Sequence, residues 1–408
     1  MDDFKGVGKK MKEFRLCIVG LGHRGRYMFQ EACKIPAFKG VAACDLKKEL
    51  WFEETSYNGN RSPALASLMP EVTFYDDFDE MLEKANPHII MVETPASCHA
   101  EFCMKALAKG IHVFSDIPSV ANLEEGRKLW EAHLESDAKL MTGATTMGWG
   151  FVHAMQDLHR QGFLGKPSVL EAEYIHDVRY LWEETPWRKP TRYGQFPPCY
   201  YCTHSLGPLL SILDEDLSEV TCITSGSHHE PELPYAHDYT CAFFRTPSGV
   251  LVRMTNSFIN NCKSGNHTFR VFGTEGCFEH LSHRGEKNPE RTTFSTTRLT
   301  GAEKTTELSV GFSPFTEAVK KRFSVTGGSG HGGADTYLLL CFAEALQNNA
   351  PEMPVSLRQG LAMTLPGLYA SESVFRNGEK LPIHYPWERE LYQKDIESFT
   401  PYTSGVKR

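Results

Sequence analysis

The chain carries no long run of one charge, no apolar stretch of membrane-spanning length, no internal repeat and no low-complexity tract. Each absence closes off a class of function. Lysine and arginine total 43 against 51 aspartate and glutamate, a net charge of −8, so the basic footprint that nucleic-acid binding requires is missing. A bilayer-crossing helix needs about 18 or more consecutive apolar residues, and no such run occurs, so no membrane association is expected. The residues ahead of Leu16 are mostly polar and charged, and the apolar run that begins there is broken by His23, Arg24 and Arg26. They read as neither signal peptide nor anchor, and a cytoplasmic protein is expected. The 12 cysteines are scattered through apparent strands and helices, where a free thiol behaves as a small hydrophobe, the usage of a reduced compartment. Cys199 and Cys202 stand at ligand spacing, but no second pair follows at zinc-site spacing, so no metal is expected.

What is present is an ordinary globular composition, 41% hydrophobic and 23% charged over 408 residues, long enough for two domains with cores of their own. Short β-rich runs at 16–20, 41–45, 72–75, 88–93, 112–116 and 139–142 alternate with helical stretches at 78–85, 99–109 and 123–136. That alternation predicts a doubly wound parallel sheet, an α/β Rossmann domain over residues 1–145. After Gly150 a helix to about residue 161 gives way to strand-like segments separated by turns, with a hairpin expected from 241–245 and 250–258. Helices at 337–346 and 357–373 close the chain, so residues 146–408 read as an α+β domain with an open, mainly antiparallel sheet.

Gly20, Gly22 and Gly25 stand in the string GLGHRG at the end of the first β-rich run, ahead of a segment that continues as helix from Arg26. Glycines at this spacing let the backbone turn tightly, approach a pyrophosphate closely and pack helix against strand, with the phosphates at the positive end of the helix. The same spacing also serves as a plain tight connection. Asp45 ends the second β-rich run, twenty positions after Gly25. A carboxylate there accepts hydrogen bonds from both ribose hydroxyls of NAD and repels the extra phosphate of NADP, so NAD is the expected cofactor. A solvated strand-end acid or helix cap is the plainer reading of Asp45. Ligands of such sheets bind beyond the carboxyl ends of the strands, where Thr94, Pro95, Asp116 and Pro118 also fall.

The segment PASCHAEFCMKALAKGIHVFSDIPSV at 95–120, with GLGHRG and Asp45, resembles the glucose-fructose oxidoreductase and inositol dehydrogenase (Gfo/Idh/MocA) family. The resemblance covers the N-terminal half, and an α+β second half fits it. It implies NAD binding by Gly20, Gly22, His23, Arg24, Gly25, Asp45, Thr94, Pro95, His99, Asp116 and Pro118, and oxidation of a sugar or polyol hydroxyl. There is one departure. Where the family carries E-K-P, with a lysine that assists at the hydroxyl, this chain has Asp116-Ile117-Pro118, and isoleucine neither carries charge nor donates a hydrogen bond.

Hydride loss from a carbinol carbon requires the hydroxyl proton to leave as well, so another group must act as base. The second half offers two clusters. One is EYIHDVR, with Tyr174, His176 and Arg179, where alternation puts Tyr174 and His176 on one face of a strand. The other is YYCTHSLGP, with Tyr201, Thr203 and His204, ahead of an apolar helix-like run. Both resemble the NAD-dependent α-N-acetylgalactosaminidases of glycoside hydrolase family 109, a branch with E-V-P in place of E-K-P and a later H-G-G-x-D, matched here by His331 and Asp335. The match departs at Asp116, Cys202 and Ser205. Plainer readings stand beside it: Tyr174 as a strand aromatic packed on a helix, His204 as a cap or core histidine, Tyr200 in place of Tyr201 at the pocket, and Asp335 as a helix N-cap. Trp187 and Arg188 read as sugar-binding residues or as surface loop.

The resemblance implies a redox route to glycosidic cleavage with a tightly bound, recycled NAD. Hydride leaves C3 of the sugar, the ketone acidifies the C2 proton, the C1 substituent is eliminated, water adds and the hydride returns. His204, Tyr201, Tyr174 and His176 are the expected proton-handling residues, and Arg179, Trp187, Arg188 and His331 the expected substrate contacts. Two other readings stand: a sugar 3-dehydrogenase that releases the keto sugar, and a nucleotide-binding sensor without catalysis. The expected partner is a small carbohydrate or glycoside, and the expected assembly is a homodimer or homotetramer.

Overall fold

Two segments built almost wholly of apolar residues, Phe14–Val19 (β1) and Ile89–Val92, lie side by side and are buried along nearly their whole length. Such continuous runs belong to the centre of a parallel sheet, where helices cover both faces. Around them the computed structural model, which describes residues 12–57, 60–179, 198–229, 231–232, 237–259, 266–282, 290–299, 305–310 and 331–406, forms a six-stranded parallel sheet. Its other strands are Phe38–Cys44 (β2), Thr73–Tyr75 (β3), His112–Ser115 (β5) and Leu140–Thr142 (β6), and with Ile89–Val92 as β4 the order is β3-β2-β1-β4-β5-β6. The order reverses between β1 and β4, which opens a crevice at their carboxyl ends.

The longer helices of this half are α1 (His23–Cys33), α2 (Phe78–Ala85), α3 (Ala96–Ala108) and α4 (Leu123–Leu134). Asp77 and Asn122 cap α2 and α4, each accepting from the backbone N–H three residues on. Helix α1 begins at His23, ahead of the Arg26 start expected from the sequence, because Gly22 already turns the chain.

The second sheet has nine strands among the described residues. They are Pro167–Ile175 (β7), Glu219–Thr224 (β8), Thr240–Arg245 (β9), Leu251–Ser257 (β10), Asn266–Gly273 (β11), Gly276–Ser282 (β12), Glu290–Thr296 (β13), Thr306–Leu308 (β14) and Leu381–Pro382 (β15), in the order β14-β13-β12-β11-β7-β10-β9-β8-β15. The expected hairpin is β9 against β10, with Thr240 opposite Asn256 and Arg245 opposite Leu251. All described pairs are antiparallel except β7 with β10. Helices α5 (Gly150–Arg160), α6 (Thr203–Leu210) and α8 (Leu357–Phe375) belong to this half.

Helix α7 (Ala334–Gln347) runs back to the first sheet. Its Phe342 ring lies 6.0 Å from Phe38 and 5.6 Å from Phe114, and Thr336 donates to Glu31 of α1 at 3.0 Å. The α1–α7 contact therefore places residues from opposite ends of the sequence at the crevice. Among the described residues no helix is long and apolar enough to cross a membrane.

Candidate active site

At the carboxyl end of β1 the three glycines do different work. Gly20 has φ +95, and a Cβ there would meet Glu93 C and O at 2.6 Å and Thr94 N at 2.7 Å. At Gly25 a Cβ would meet Gly20 O at 2.0 Å, so helix and strand touch and only glycine fits. Gly22 has nothing within 4 Å of its missing Cβ. It is also the N-cap of α1, with no side-chain cap hydrogen bond and no acid in the first turn, so no carboxylate of that turn offsets the positive end of the helix. That is the cradle a pyrophosphate requires. Asp45 directly follows β2, with Oδ2 accepting from Leu21 N–H at 2.7 Å and Oδ1 from Lys47 N–H at 2.8 Å, which fixes the carboxylate and leaves each oxygen a further lone pair for a ribose hydroxyl. The chain's residues fit NAD.

Arg24, expected at the cofactor, turns its guanidinium to carboxyl groups. Its Nε lies 2.8 Å from Asp116 Oδ2, and its Nη2 lies 3.1 Å from Asp335 Oδ1 and 3.3 Å from Thr145 Oγ1. A third carboxyl, Glu93, approaches Nε to 3.8 Å with its side chain wholly buried. Burial first and then the Asp116 charge push the Glu93 carboxyl, which lies behind the glycine loop, well above its ordinary range. Burial alone would raise Asp335 too, but Arg24 and His331 beside it hold it well below the usual carboxylate range. Asp335 is not the helix cap considered from the sequence: Gly333 occupies the N-cap of α7, and the Asp335 carboxylate takes hydrogen bonds from Arg24, Thr145 Oγ1 at 2.9 Å and His331 Nδ1 at 2.8 Å. An interior arginine is the stronger competitor for an anion.

His99, another expected cofactor residue, is buried with Nδ1 2.8 Å from Pro118 O and Nε2 2.6 Å from Thr94 O. It ties the loops after β4 and β5 together and is not presented to the crevice. Thr94 is half-buried and Pro95 exposed at the start of α3, His23 is half-buried in the first turn of α1, and Pro118 is buried. Ile117 belongs to the hydrophobic core.

On the second sheet, the expected proton-handling residues come together as a group of rings. Tyr174 is the hub: its ring lies 5.1 Å from His204 in a stacked arrangement, 5.8 Å from His176 and 6.1 Å from Tyr201. Tyr174 shares its inward face of β7 with Leu170 and Ala172, whereas His204 stands in the first turn of α6. Of the two adjacent tyrosines, Tyr200 is fully buried and donates its hydroxyl to Val120 O at 2.5 Å, which leaves Tyr201 to the group. Arg179 pairs with Asp177, its Nη2 2.6 Å from Oδ2. Trp187 and Arg188 lie outside the described residues. Cys199 and Cys202 are buried, Cys202 donating to Met363 O at 3.0 Å, and no cluster able to hold a metal occurs among the described residues.

Sequence reasoning missed two members. His267, opposite Tyr174 in the β7–β11 register, lies 4.8 Å from its ring, and Trp149 meets His267 edge-on at 4.7 Å. The available signal was alternation along β11, which puts His267 on one face with the buried Phe269 and Val271. Trp149 also joins the two halves of the site. It follows the turn Thr145–Gly148, whose first residue donates to Asp335 and whose Gly148 abuts Ala334 so closely that a Cβ would meet its carbonyl oxygen at 2.9 Å.

Comparison with known proteins bears on both halves. Residues 14–144 match the oxidoreductase family with NAD-binding Rossmann fold, and residues 152–279 match the GFO/IDH/MocA C-terminal domain. Among curated proteins the chain is 25% identical over 412 residues to glycosyl hydrolase family 109 protein 2 of Akkermansia muciniphila, covering 92% of this chain and 83% of that one. It is 22% identical to the glycosyl hydrolase family 109 protein of Saccharopolyspora erythraea, covering 91% and 82%. Among solved structures, an oxidoreductase from Agrobacterium radiobacter in complex with NAD+ and L-tartaric acid superposes with a TM-score of 0.71 at 13% identity, over 91% of this chain and 98% of that one. The WlbA dehydrogenase of Bordetella pertussis, in complex with NADH and UDP-GlcNAcA, superposes at 0.70 with 15% identity, over 92% and 99%.

Proposed function

From the premise that this chain belongs to the GFO/IDH/MocA oxidoreductase family, whose first domain binds NAD, we propose that it is an NAD-dependent glycoside-processing enzyme that cleaves a sugar from its C1 substituent by transient oxidation at C3. The relatives named for glycosyl hydrolase family 109 support the substrate class. One observation carries the reading: Tyr174, His176, Tyr201 and His204 form a single ring group in a chain whose family-lysine position holds the buried Ile117. Acid–base capacity has moved from the first domain to the second.

Bound NAD would supply the hydride acceptor at C3 and return the hydride at the end of each turnover. The chain's own residues do the rest. Gly20, Gly22 and Gly25 seat the pyrophosphate, and Asp45 takes the ribose hydroxyls. The 3-ketone makes the C2 proton acidic, and the ring group removes it and protonates the departing C1 oxygen, for which imidazole and phenol have suitable pKa values. His204 and Tyr201 are assigned to the C3 hydroxyl proton and the departing group, Tyr174 and His176 to the C2 proton or to sugar orientation, with Arg179 and His331 at the substrate. Because the hydride would return within each turnover, no NAD would be consumed.

The test is product analysis by mass spectrometry over a panel of aryl glycosides, with the full chain as purified and no added NAD. Cleavage that is slowed by deuterium at C3 and lost in His204→Ala supports the reading. Stoichiometric NADH with an oxidised, uncleaved sugar would replace it by a sugar 3-dehydrogenase.

A further inference from the structure

The carboxyl ends of the six parallel strands form the cofactor crevice. At the opposite, amino-terminal end of β1, β4 and β5 lies a cavity of about 260 Å³, apart from both the crevice and the ring group. We infer that this cavity is a second ligand site, built for a phosphate group, either free phosphate or the ester phosphate of a small molecule. The inference does not depend on the sugar-oxidation reading.

One construction occurs twice, on neighbouring strands. After α2 the left-handed Asn86 (φ +46) turns the chain through Pro87 and His88 into β4; after α3 the left-handed Gly110 (φ +69) turns it through Ile111 to His112, the first residue of β5. Each histidine then caps an amide beside the next strand. His88 Nδ1 accepts from Arg15 N–H at 3.0 Å, and His112 Nδ1 from Lys139 N–H at 3.0 Å. An amide only donates, so each neutral ring carries its proton on Nε2. Partial burial first, then Arg15 and Lys12, lowers the pKa of His88; burial first, then Lys12, Lys139 and His88, lowers that of His112. Both rings are therefore neutral near pH 7. Among the described residues neither Nε2–H meets an acceptor, and both side chains line the cavity.

The charges acting on these rings are all positive. Arg15 and Lys139 direct their own donors at backbone carbonyls, Asn86 O at 2.8 Å and Pro351 O at 3.0 Å. Lys12 and Lys109 line the cavity, and among the described residues neither pairs with a carboxylate; Lys12 Nζ lies 4.9 Å from the centre of the Phe14 ring. Lysines elsewhere in this half behave differently: Lys34, Lys84, Lys105 and Lys128 each pair with a carboxylate. The carbonyl ends of α2 and α3 favour a cation nearby, which accounts for Arg15 at Asn86 O. They give no reason for two imidazole N–H donors to line the same cavity. In a chain of net charge −8 this is a local reversal of sign, and an anion is the group it lacks. Two ammoniums and two N–H donors suit a dianion with several oxygens better than a single carboxylate. The buried Phe14, Leu82 and Ile111 also line the cavity and offer a surface to the carbon part of an ester.

The experiment titrates the full chain with inorganic phosphate and, separately, with glucose 6-phosphate, at constant ionic strength and with NAD+ present to fill the glycine loop. Calorimetry reads affinity, and long-range 1H–15N correlation with labelled histidine reads place, the two rings being assigned by the signals lost in His88→Gln and His112→Gln. Both rings are expected as Nε2–H tautomers whose signals shift saturably, with a Kd of about 1 mM or below. Lys12 and Lys109 are exposed, so the double variant Lys12→Gln/Lys109→Gln tests the charge without disturbing the core. It is expected to weaken phosphate binding by about tenfold or more, with NAD+ affinity within about twofold of the parent. Tighter binding of the ester assigns the site to phosphate esters, and the reverse order assigns it to free phosphate. Shifts that stay linear in phosphate, or that chloride reproduces at the same ionic strength, overturn the inference. Saturable binding that the double variant leaves unchanged overturns it too, because the anion then sits elsewhere.

Discussion

At the carboxyl end of the six-stranded sheet one guanidinium gathers three carboxyl groups; on the nine-stranded sheet a group of rings packs together, Tyr174 stacked on His204 and tilted against His176 and Tyr201. The two devices answer different needs. A charge cluster fixes distance and direction, because each N–H must find an oxygen along its own axis, and it suits the parts that seat a cofactor. Stacked rings fix a surface and leave the edges of the imidazoles and phenols to a ligand. Each region also has its own weak point: for the charges the one cation, and for the chain beside the rings the Tyr200 hydroxyl bonded to Val120 O.

The largest effect is expected on the charged side. Arg24→Ala leaves Asp335 buried without its cation, and unfolding in urea should show a loss of about 3–5 kcal/mol near neutral pH. The sign with pH is fixed by Asp335. Its folded pKa is depressed, so the stability it contributes is present above the unfolded value of about 4 and is lost as pH falls through the folded one. The gap between parent and variant should therefore close in acid; a gap that stays constant would mean that Arg24 acts by packing alone.

An intermediate effect separates the two tyrosines. Tyr200→Phe removes the donor to the buried Val120 carbonyl and should cost about 1–3 kcal/mol by the same measurement, with turnover of the folded protein retained. Tyr201→Phe should leave stability within about 0.5 kcal/mol and lower glycoside turnover. The reverse pattern would put Tyr200 in the ring group and undo the division made above.

The smallest effect is a slope. Glu93 has a folded pKa raised by burial, so its contribution is fully present below the unfolded value near 4 and is lost as pH rises through the folded one. Glu93→Gln removes that loss. Melting curves of the two proteins should diverge steadily from mildly acidic to alkaline pH, the variant ahead; parallel curves would show Glu93 to be ionised already at neutrality.

How much of this can be read from the sequence depends on the range of the forces involved. The six parallel strands are legible because central strands are continuous apolar runs, and Tyr174 with His176 because strand alternation is a local rule. The role of Asp335 is not, because its partners Arg24 and Thr145 are 311 and 190 residues away and nothing local signals an interior arginine. His267 escapes for a related reason. Its importance comes from the register that brings it opposite Tyr174, and register is a property of the assembled sheet. Tyr200 and Tyr201 are neighbours of one kind, and only the fold decides which one is anchored to Val120.

Helix α7 has a consequence for anyone who would exchange the substrate-binding half of this protein for that of a relative. A single crossover after residue 145 would transplant Phe342 together with Asp335 and strip the first sheet of both an aromatic contact and the anion that Arg24 requires. Recombination here needs three crossovers, after residues 145, 330 and 347, so that 331–347 is inherited alongside the first 145 residues. Along this stretch the unit of inheritance follows the packing of the cofactor half and not the linear order of the chain.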